Sequence, residues 1–130
     1  MDRLFLDANV LFSAAYRPDS GLRKLWRLES VTLCSSRFAL EEARINLDNE
    51  AQRARLTKLA KNLELFDAAP GDLPAGVVLP DKDAPILLAA IEARATHLIT
   101  GDVRHFGSYF GKRLAGIIIQ PPGEYLQQRT

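Results

Sequence analysis

The sequence predicts an α/β protein, a three-layer α/β/α sandwich around a central, mostly parallel sheet. Short β-type runs alternate with longer helical patterns along the chain, which is the order expected of right-handed β-α-β crossovers. Two of these runs, at residues 4–6 and 117–119, are continuously apolar, as is typical of strands covered on both faces. A length of 130 residues is usual for one domain, so residues 1–130 are expected to form a single domain.

The elements can be assigned in chain order. β-type runs occur at residues 4–6, 31–34, 64–67, 96–100 and 116–119. Helical patterns occupy residues 8–15, 21–28, 37–47, 51–63 and 83–95. The stretch 68–80 contains three prolines and two glycines and is the one loop-rich segment. It does not divide the chain into two domains, because neither half could bury a core alone.

The composition excludes several classes of protein. Seventeen basic and sixteen acidic side chains give a net charge of +1, which excludes a strongly basic tail but leaves room for a local basic patch. The single cysteine, Cys34, cannot form an internal disulfide and is expected to be buried, and two histidines cannot supply a Cys/His zinc site. No long apolar stretch or signal peptide is visible, so we expect a cytoplasmic protein that does not contact a membrane.

Three aspartates stand where a parallel sheet would bring them together. Asp7 and Asp102 each follow a β-type run, and Asp83 begins a helical pattern. Ligands of such sheets bind outside the carboxyl ends of the strands, so neighbouring central strands would place Asp7 and Asp102 side by side. Clustered carboxylates repel one another, and hard oxygen ligands of this kind suit Mg²⁺ or Mn²⁺. Each aspartate taken alone is better explained as a helix N-cap, and Asp81 fits that role best; the combination of three at one edge is harder to explain in this way.

Helical phase separates two adjacent glutamates. On the predicted helix, Glu42 lies between Phe38 and Ile45, whereas Glu41 lies on the side of Arg44. We therefore expect Phe38, Glu42 and Ile45 to face the sheet and Glu41 to face solvent. A carboxylate on an inward face needs a partner, either a metal ion or a buried arginine.

Polar neighbours of these acids are candidates to support them. The Thr100 hydroxyl could hydrogen-bond a metal-bound carboxylate or water, and Asn9 could do the same from the first turn of its helix. Both are equally explained as local caps. Phe106 is expected in the core, and no partner is predicted for His105.

One helical pattern carries a basic stripe. Leu56, Leu59, Ala60 and Leu63 share one face of it, and Arg55, Lys58 and Lys61 share the other. A solvated amphipathic helix explains this pattern. The alternative is a stripe that contacts phosphates beside the acidic residues.

Other catalytic motifs are missing from the sequence. It contains no G-x-x-x-x-G-K-[ST] phosphate loop, no G-x-G-x-x-G after the first strand and no G-x-S-x-G elbow. A phosphatase-like enzyme with Asp7 as nucleophile is a rival, but its usual second aspartate is replaced here by Asn9.

The chain resembles the PIN-domain ribonucleases, and among them the toxin components of bacterial toxin–antitoxin pairs. Four segments carry the resemblance in the family's order, namely LFLDANVL at 4–11, SRFALEE at 36–42, DKDAPIL at 81–87 and LITGD at 98–102. Matched position by position, the family's acidic quartet falls on Asp7, Glu42, Asp83 and Asp102. Its small polar position falls on Asn9, its supporting hydroxyl on Thr100, and an extra acid of the subgroup on Asp81.

The resemblance implies a PIN-like fold and metal-dependent hydrolysis of RNA. The expected catalytic residues are the acidic quartet, with Asp7, Asp83 and Asp102 as ligands of Mg²⁺ or Mn²⁺. The expected partners are RNA, a small antitoxin protein and a second copy of the chain. The alternative is a catalytically inactive module of the same fold that binds RNA or serves as a scaffold.

Overall fold

Residues 1–68 and 71–129 are described by the computed structural model, and within them six strands form one sheet. The strands are β1 (Asp2–Leu6), β2 (Val31–Ser36), β3 (Glu64–Phe66), β4 (His97–Ile99), β5 (Arg113–Leu114) and β6 (Ile117–Gln120). Their order is β3-β2-β1-β4-β6-β5. All neighbours pair in parallel except β5 and β6, which are antiparallel. The predicted mostly parallel sheet is confirmed.

The short strand β5 was not predicted from the sequence. Ala115 and Gly116 join it to β6 and both have positive φ, at 52° and 81°. Left-handed geometry at both turn residues is the conformation of a tight two-residue hairpin, and glycine adopts it without steric cost. A two-residue strand gives too short a pattern for periodicity to detect.

The described helices agree with the predicted ones at most positions. They are α1 (Ala8–Tyr16), α2 (Arg37–Asn46), α3 (Glu50–Ala60), α4 (Ala84–Glu92), α5 (Val103–Phe106) and α6 (Pro122–Gln128). The expected helix at 21–28 is a 3-10 helix, Gly21–Arg27, and a second 3-10 helix covers Gly107–Tyr109. The helices α5 and α6 were not predicted. Within the described residues, no helix combines the length and the apolar character needed to cross a membrane.

Local capping explains where the helices of the first half begin. The Ser36 hydroxyl accepts a hydrogen bond from the Ala39 amide at the start of α2. Asn49 and Gln52 form a reciprocal capping box at the start of α3. These caps separate two helices that share one connection between β2 and β3. The loop-rich stretch predicted at 68–80 is irregular from residue 71 onward, and its residues 69 and 70 lie outside the described part.

The order in which strands are added to the sheet reverses at β1. After β1, the chain adds β2 and β3 on one side, and it then returns to add β4 and β6 on the other side of β1. Right-handed crossovers therefore place α1, α2 and α3 on one face of the sheet and α4 on the other. Consistent with this, α1 packs against both α2 and α3. The point where the strand order reverses, between β1 and β4, is where ligands bind in such folds.

The central strands form the core. Leu4, Phe5 and Leu6 of β1 and Leu98 and Ile99 of β4 have no exposed surface. Cys34 is buried as predicted, and burial raises the pKa of its thiol. Strands buried on both faces hold the backbone beyond their carboxyl ends in fixed positions.

Candidate functional site

Neighbouring strands bring the first and last predicted acids to the same edge of the sheet. Leu6 of β1 is in register with Ile99 of β4, and the Asp7 amide donates to the Ile99 carbonyl at 3.0 Å. Asp7 and Thr100 thus occupy the first positions beyond two adjacent strands. The strands that precede Asp7 and Asp102 are therefore neighbours, which is the condition that the prediction for these two residues required.

Asp7 is buried, with an exposed fraction of 4%, and both of its carboxylate oxygens accept hydrogen bonds. Oδ1 accepts the Ala8 amide at 2.7 Å and so caps α1. Oδ2 accepts the Thr100 hydroxyl at 2.8 Å and the Asn9 side-chain amide at 3.2 Å. Burial raises the pKa of Asp7 to about 6, the bonds from Thr100 and Ala8 oppose that rise, and the charges of Asp83 and Glu42 add to it. Asp7 is therefore a helix cap and also a buried carboxylate whose charged form is destabilised by burial and by neighbouring negative charges.

Thr100 and Asn9 connect the loops that carry the two aspartates. The buried Thr100 hydroxyl, besides donating to Asp7, accepts the Asp102 amide at 3.1 Å. The Asn9 Oδ1 atom accepts the Gly101 amide at 2.8 Å. A Cβ atom at Gly101 would lie 3.3 Å from that oxygen, so glycine allows this close approach. The two polar neighbours expected from the sequence thus lie where they can fix Asp7 and Asp102.

Asp83 and Asp102 share a partner that was not predicted. The Nδ1 atom of His105 lies 2.9 Å from Asp102 Oδ2 and 2.8 Å from Asp83 Oδ2. The backbone amide of His105 also donates to Asp102 Oδ1 at 3.0 Å, so Asp102 caps α5. The sequence analysis named no partner for His105, and the structure gives it two. An aspartate followed three residues later by histidine at a helix start would have been the signal for it.

One oxygen of Asp83 has no hydrogen bond. Asp83 stands at the N-cap of α4, yet its side chain makes no capping bond. Nδ1 of His105 carries one hydrogen at most and makes its hydrogen bond to Asp102. The buried Oδ2 of Asp83, although only 2.8 Å from Nδ1, therefore accepts no hydrogen bond. Burial raises the pKa of Asp83, and the nearby His105 opposes that rise.

Glu42 lies on the wall of the same cleft, but the argument that predicted it was partly wrong. Ala39 and Ala43 are the residues that α2 buries, whereas Phe38 and Ile45 are 45% and 64% exposed. Small side chains let the helix approach its neighbours closely, and Glu42, about 60° around the helix from Ala39, falls at the rim of that contact. Phe38 and Ile45 lie still farther round and face outward.

Glu41 points away from the cleft as expected. It pairs with Arg44, whose Nε donates to its Oε2 at 2.9 Å, and both side chains are about half exposed. The structure thus separates the two adjacent glutamates in the predicted sense, although the flanking apolar residues do not mark the inward face.

The four acids line one cleft of about 440 Å³. Three further polar or aromatic residues that the sequence did not single out also line it, namely Phe12, Asn46 and Lys82. The Lys82 ammonium helps to hold down the pKa of Asp83. Asp81 is exposed and, among the described residues, is not part of the cleft lining.

The basic stripe of α3 lies elsewhere. The Arg55 guanidinium donates to the carbonyls of Ala15 and Tyr16 at 2.9 and 3.1 Å, at the end of α1 remote from Asp7. Lys58 lines a separate groove beside Trp26, and Lys61 is exposed just beyond α3. A role for Arg55, Lys58 and Lys61 in RNA binding stays a prediction.

The donor set fits a divalent cation. Ligand atoms of Asp83, Asp102 and His105 all lie within 4.8 Å of one another, and Asp83 also has an oxygen without a hydrogen bond. Asp7 lies close enough for the charge of Asp83 to raise its pKa. Buried carboxylates that repel one another are stabilised by a cation.

Comparison with known families and structures agrees with this arrangement. The PIN domain family matches residues 3–104. VapBC2 from Rickettsia felis, solved bound to a DNA fragment from its promoter, contains a chain 20% identical to this one with a TM-score of 0.63, covering 92% of this chain and 98% of that one.

Two further solved structures have the same fold. FitAB bound to the IR36 DNA fragment is 19% identical, with a TM-score of 0.54 and coverage of 92% and 94%. FitAcB from Neisseria gonorrhoeae is 19% identical, with a TM-score of 0.53 and coverage of 92% and 98%. No curated protein matches the sequence.

Proposed function

The chain belongs to the PIN domain family, and on that premise we propose that it is a divalent-metal-dependent endoribonuclease of the cytoplasm. The observation that carries the proposal is the buried carboxylate cluster at the reversal point of the sheet, with one Asp83 oxygen left without a hydrogen bond. A buried carboxylate oxygen without a hydrogen bond costs stability, and a bound cation would remove that cost. Asp7, Asp83 and Asp102 are the proposed ligands, and Mg²⁺ or Mn²⁺ the proposed ion.

The residues around the cluster have distinct proposed roles. A divalent cation bound there would supply Lewis-acid polarisation of the scissile phosphate and a lowered pKa for an attacking water. Thr100 and Asn9 hold the Asp7 carboxylate in one orientation through their hydrogen bonds. Glu42 at the rim can accept a proton from water through its carboxylate, and Lys82 places a positive charge where a phosphate would enter.

Cleavage of RNA by matched aspartate variants tests this proposal. Purified protein should cut RNA with Mg²⁺ or Mn²⁺ and stop in EDTA, and Asp83→Asn should abolish cutting while the protein stays folded. Asp81→Asn is the matched control, because Asp81 lies two residues away in the same segment but is exposed and outside the cleft. Cutting that persists in EDTA or in Asp83→Asn would contradict the metal mechanism.

The biological role we propose is that of the toxin in a toxin–antitoxin pair. Its partners would be RNA, a small antitoxin protein and a second copy of the chain. The similarity to chains of VapBC2 and FitAB, both solved on DNA fragments, supports this role by fold.

Growth on expression tests the toxin role separately from the nuclease. Wild type should arrest growth, Asp83→Asn should not, and co-expression of the proposed small antitoxin should restore growth. Harmless expression of a protein whose RNase activity is confirmed in the lysate would contradict the toxin role and leave the nuclease standing.

A further inference from the structure

The imidazole of His105 stands between two of the proposed metal ligands. Its Nδ1 atom lies 2.8 Å from Asp83 Oδ2 and 2.9 Å from Asp102 Oδ2. We propose that His105 is itself a ligand of the cation, so that the site contains one nitrogen donor beside its carboxylate oxygens. This inference rests on the proposed metal-dependent function and specifies the ligand set of that site.

The separations between these atoms are those of ligands on one ion. Two adjacent ligands on an octahedral cation with bonds of about 2.1 Å lie about 3 Å apart. Nδ1 has that separation from both aspartate oxygens, and the three ligand atoms lie within 4.8 Å of one another. One cation can therefore touch all three atoms after small adjustments of the side chains.

The present contacts of Nδ1 satisfy only one of the two aspartates. Its hydrogen bond is made to Asp102, whereas the Oδ2 atom of Asp83, a residue with an exposed fraction of 7%, has no donor. A cation in place of that hydrogen would bind both aspartate oxygens and the ring nitrogen together. The buried oxygen that lacks a hydrogen bond is thus a sign that the cluster is built around a ligand.

The fold holds His105 in this position. Its backbone amide donates to Asp102 Oδ1 at 3.0 Å, and the next residue, Phe106, is fully buried in the core. These two anchors fix the short helix α5 on both sides of the histidine. A ligand held before the metal arrives loses little conformational freedom on binding.

A nitrogen ligand changes the preference among metal ions. Mg²⁺ takes oxygen ligands, whereas first-row transition ions also accept imidazole nitrogen, with affinity rising from Mn²⁺ to Co²⁺. We expect the wild type to bind Mn²⁺ more tightly than Mg²⁺, and Co²⁺ more tightly than Mn²⁺. In His105→Ala, the affinity for Mn²⁺ and Co²⁺ should fall about tenfold or more, while that for Mg²⁺ changes less.

Electron spin-echo modulation of bound Mn²⁺ tests the ligand directly. Wild type loaded with Mn²⁺ should show coupling to a directly bound nitrogen, and His105→Ala should bind Mn²⁺ without it. The control Arg104→Ala changes an exposed residue of the same helix and should keep the coupling. His97→Gln, which changes the other histidine, should also keep the nitrogen coupling. This variant therefore assigns the coupled nitrogen to His105 even if His105→Ala does not fold.

Three results would overturn the inference, and they bear differently on the function. His105 is not a ligand if Mn²⁺ binds to wild type without nitrogen coupling, or if the coupling is retained in His105→Ala. In either case the site contains carboxylate ligands alone, and the prediction of EDTA-sensitive RNA cleavage is unaffected. Absence of Mn²⁺ binding by wild type removes the metal mechanism as well.

Discussion

At the scale of single residues, Asp7 joins two roles that the sequence presents as alternatives. Its Oδ1 caps α1, as the side chain of an N-cap aspartate does, while its Oδ2 accepts hydrogen bonds from Thr100 and Asn9. The cap orients the carboxylate, and burial makes its charged form costly. A capping aspartate and a metal ligand can therefore be one residue.

The raised pKa of Asp7 predicts how the stability of the metal-free protein depends on pH. The folded state keeps the Asp7 proton up to about pH 6, whereas the unfolded chain loses it near 3.8. Between these values the folded state binds more protons, so the contribution of Asp7 to the free energy of unfolding falls as pH rises. The full difference is on the order of 3 kcal/mol. The raised pKa of Asp83 acts in the same direction.

Comparison of wild type with Asp7→Asn isolates this contribution. Denaturant unfolding in EDTA at pH values from about 4 to 7 should show Asp7→Asn gaining stability relative to wild type as pH rises. Asp81→Asn, on the exposed control residue, should follow wild type. A difference between Asp7→Asn and wild type that stays constant across this window would mean that the Asp7 pKa is not raised.

At the scale of elements, α2 explains both a success and a failure of sequence reasoning. Periodicity located the helix, but apolarity did not identify its inner face, because the contact is made by Ala39 and Ala43 while Phe38 and Ile45 face outward. Large apolar side chains cannot fit where a helix approaches its neighbours closely. Glu42 reaches the cleft from the rim of this contact.

Substitution of two adjacent glutamates in α2 should affect RNA cleavage differently. Glu42→Gln should cause a large loss of RNA cleavage, because the amide cannot accept a proton or bind a cation as the carboxylate does. Glu41→Gln is the matched control and should cleave as wild type does, since Glu41 pairs with Arg44 in solvent. Initial cleavage rates at saturating Mn²⁺ provide the measurement. Equal rates for both variants, or a loss only in Glu41→Gln, would move the catalytic assignment.

The elements that position each residue of the site explain which residues could be predicted from the sequence. Asp7 and Asp102 were predicted because parallel strands bring their carboxyl ends to one edge whatever the loops do, and Asp83 because it begins the helix that leads back to β4. His105 and Lys82 were not, because their positions depend on the four-residue helix α5 and on an irregular segment before α4. Elements of two to four residues, such as β5 and α5, contain too few positions to establish a period.

At the scale of the whole molecule, the cleft joins segments that are far apart in the sequence. Asp7, Glu42, Asp83 and Asp102 come from four separate connections, and all line one volume. A cation bound among them would favour the native state over the unfolded chain, where the ligands are dispersed. The metal should therefore act on the stability of the entire fold.

Thermal unfolding with and without Mn²⁺ measures this effect. Mn²⁺ at 100 times its dissociation constant should add about 2.7 kcal/mol to the free energy of unfolding and raise the Tm of wild type accordingly. Asp83→Asn should lose most of the shift, and Asp81→Asn should retain it. An equal Mn²⁺ shift in Asp83→Asn would show that the ion binds elsewhere.

The position of β4 beside β1 also bears on how the protein is synthesised. The hydrogen bond between Thr100 and Asp7 joins residues 93 positions apart, and β4 is the strand that completes this edge of the cleft. A nascent chain that has not yet released residues 97–105 from the ribosome contains Asp7 and Glu42 but not the assembled cluster. We therefore expect the proposed nuclease to stay inactive towards the messenger and the ribosome that are producing it until this segment has left the ribosome.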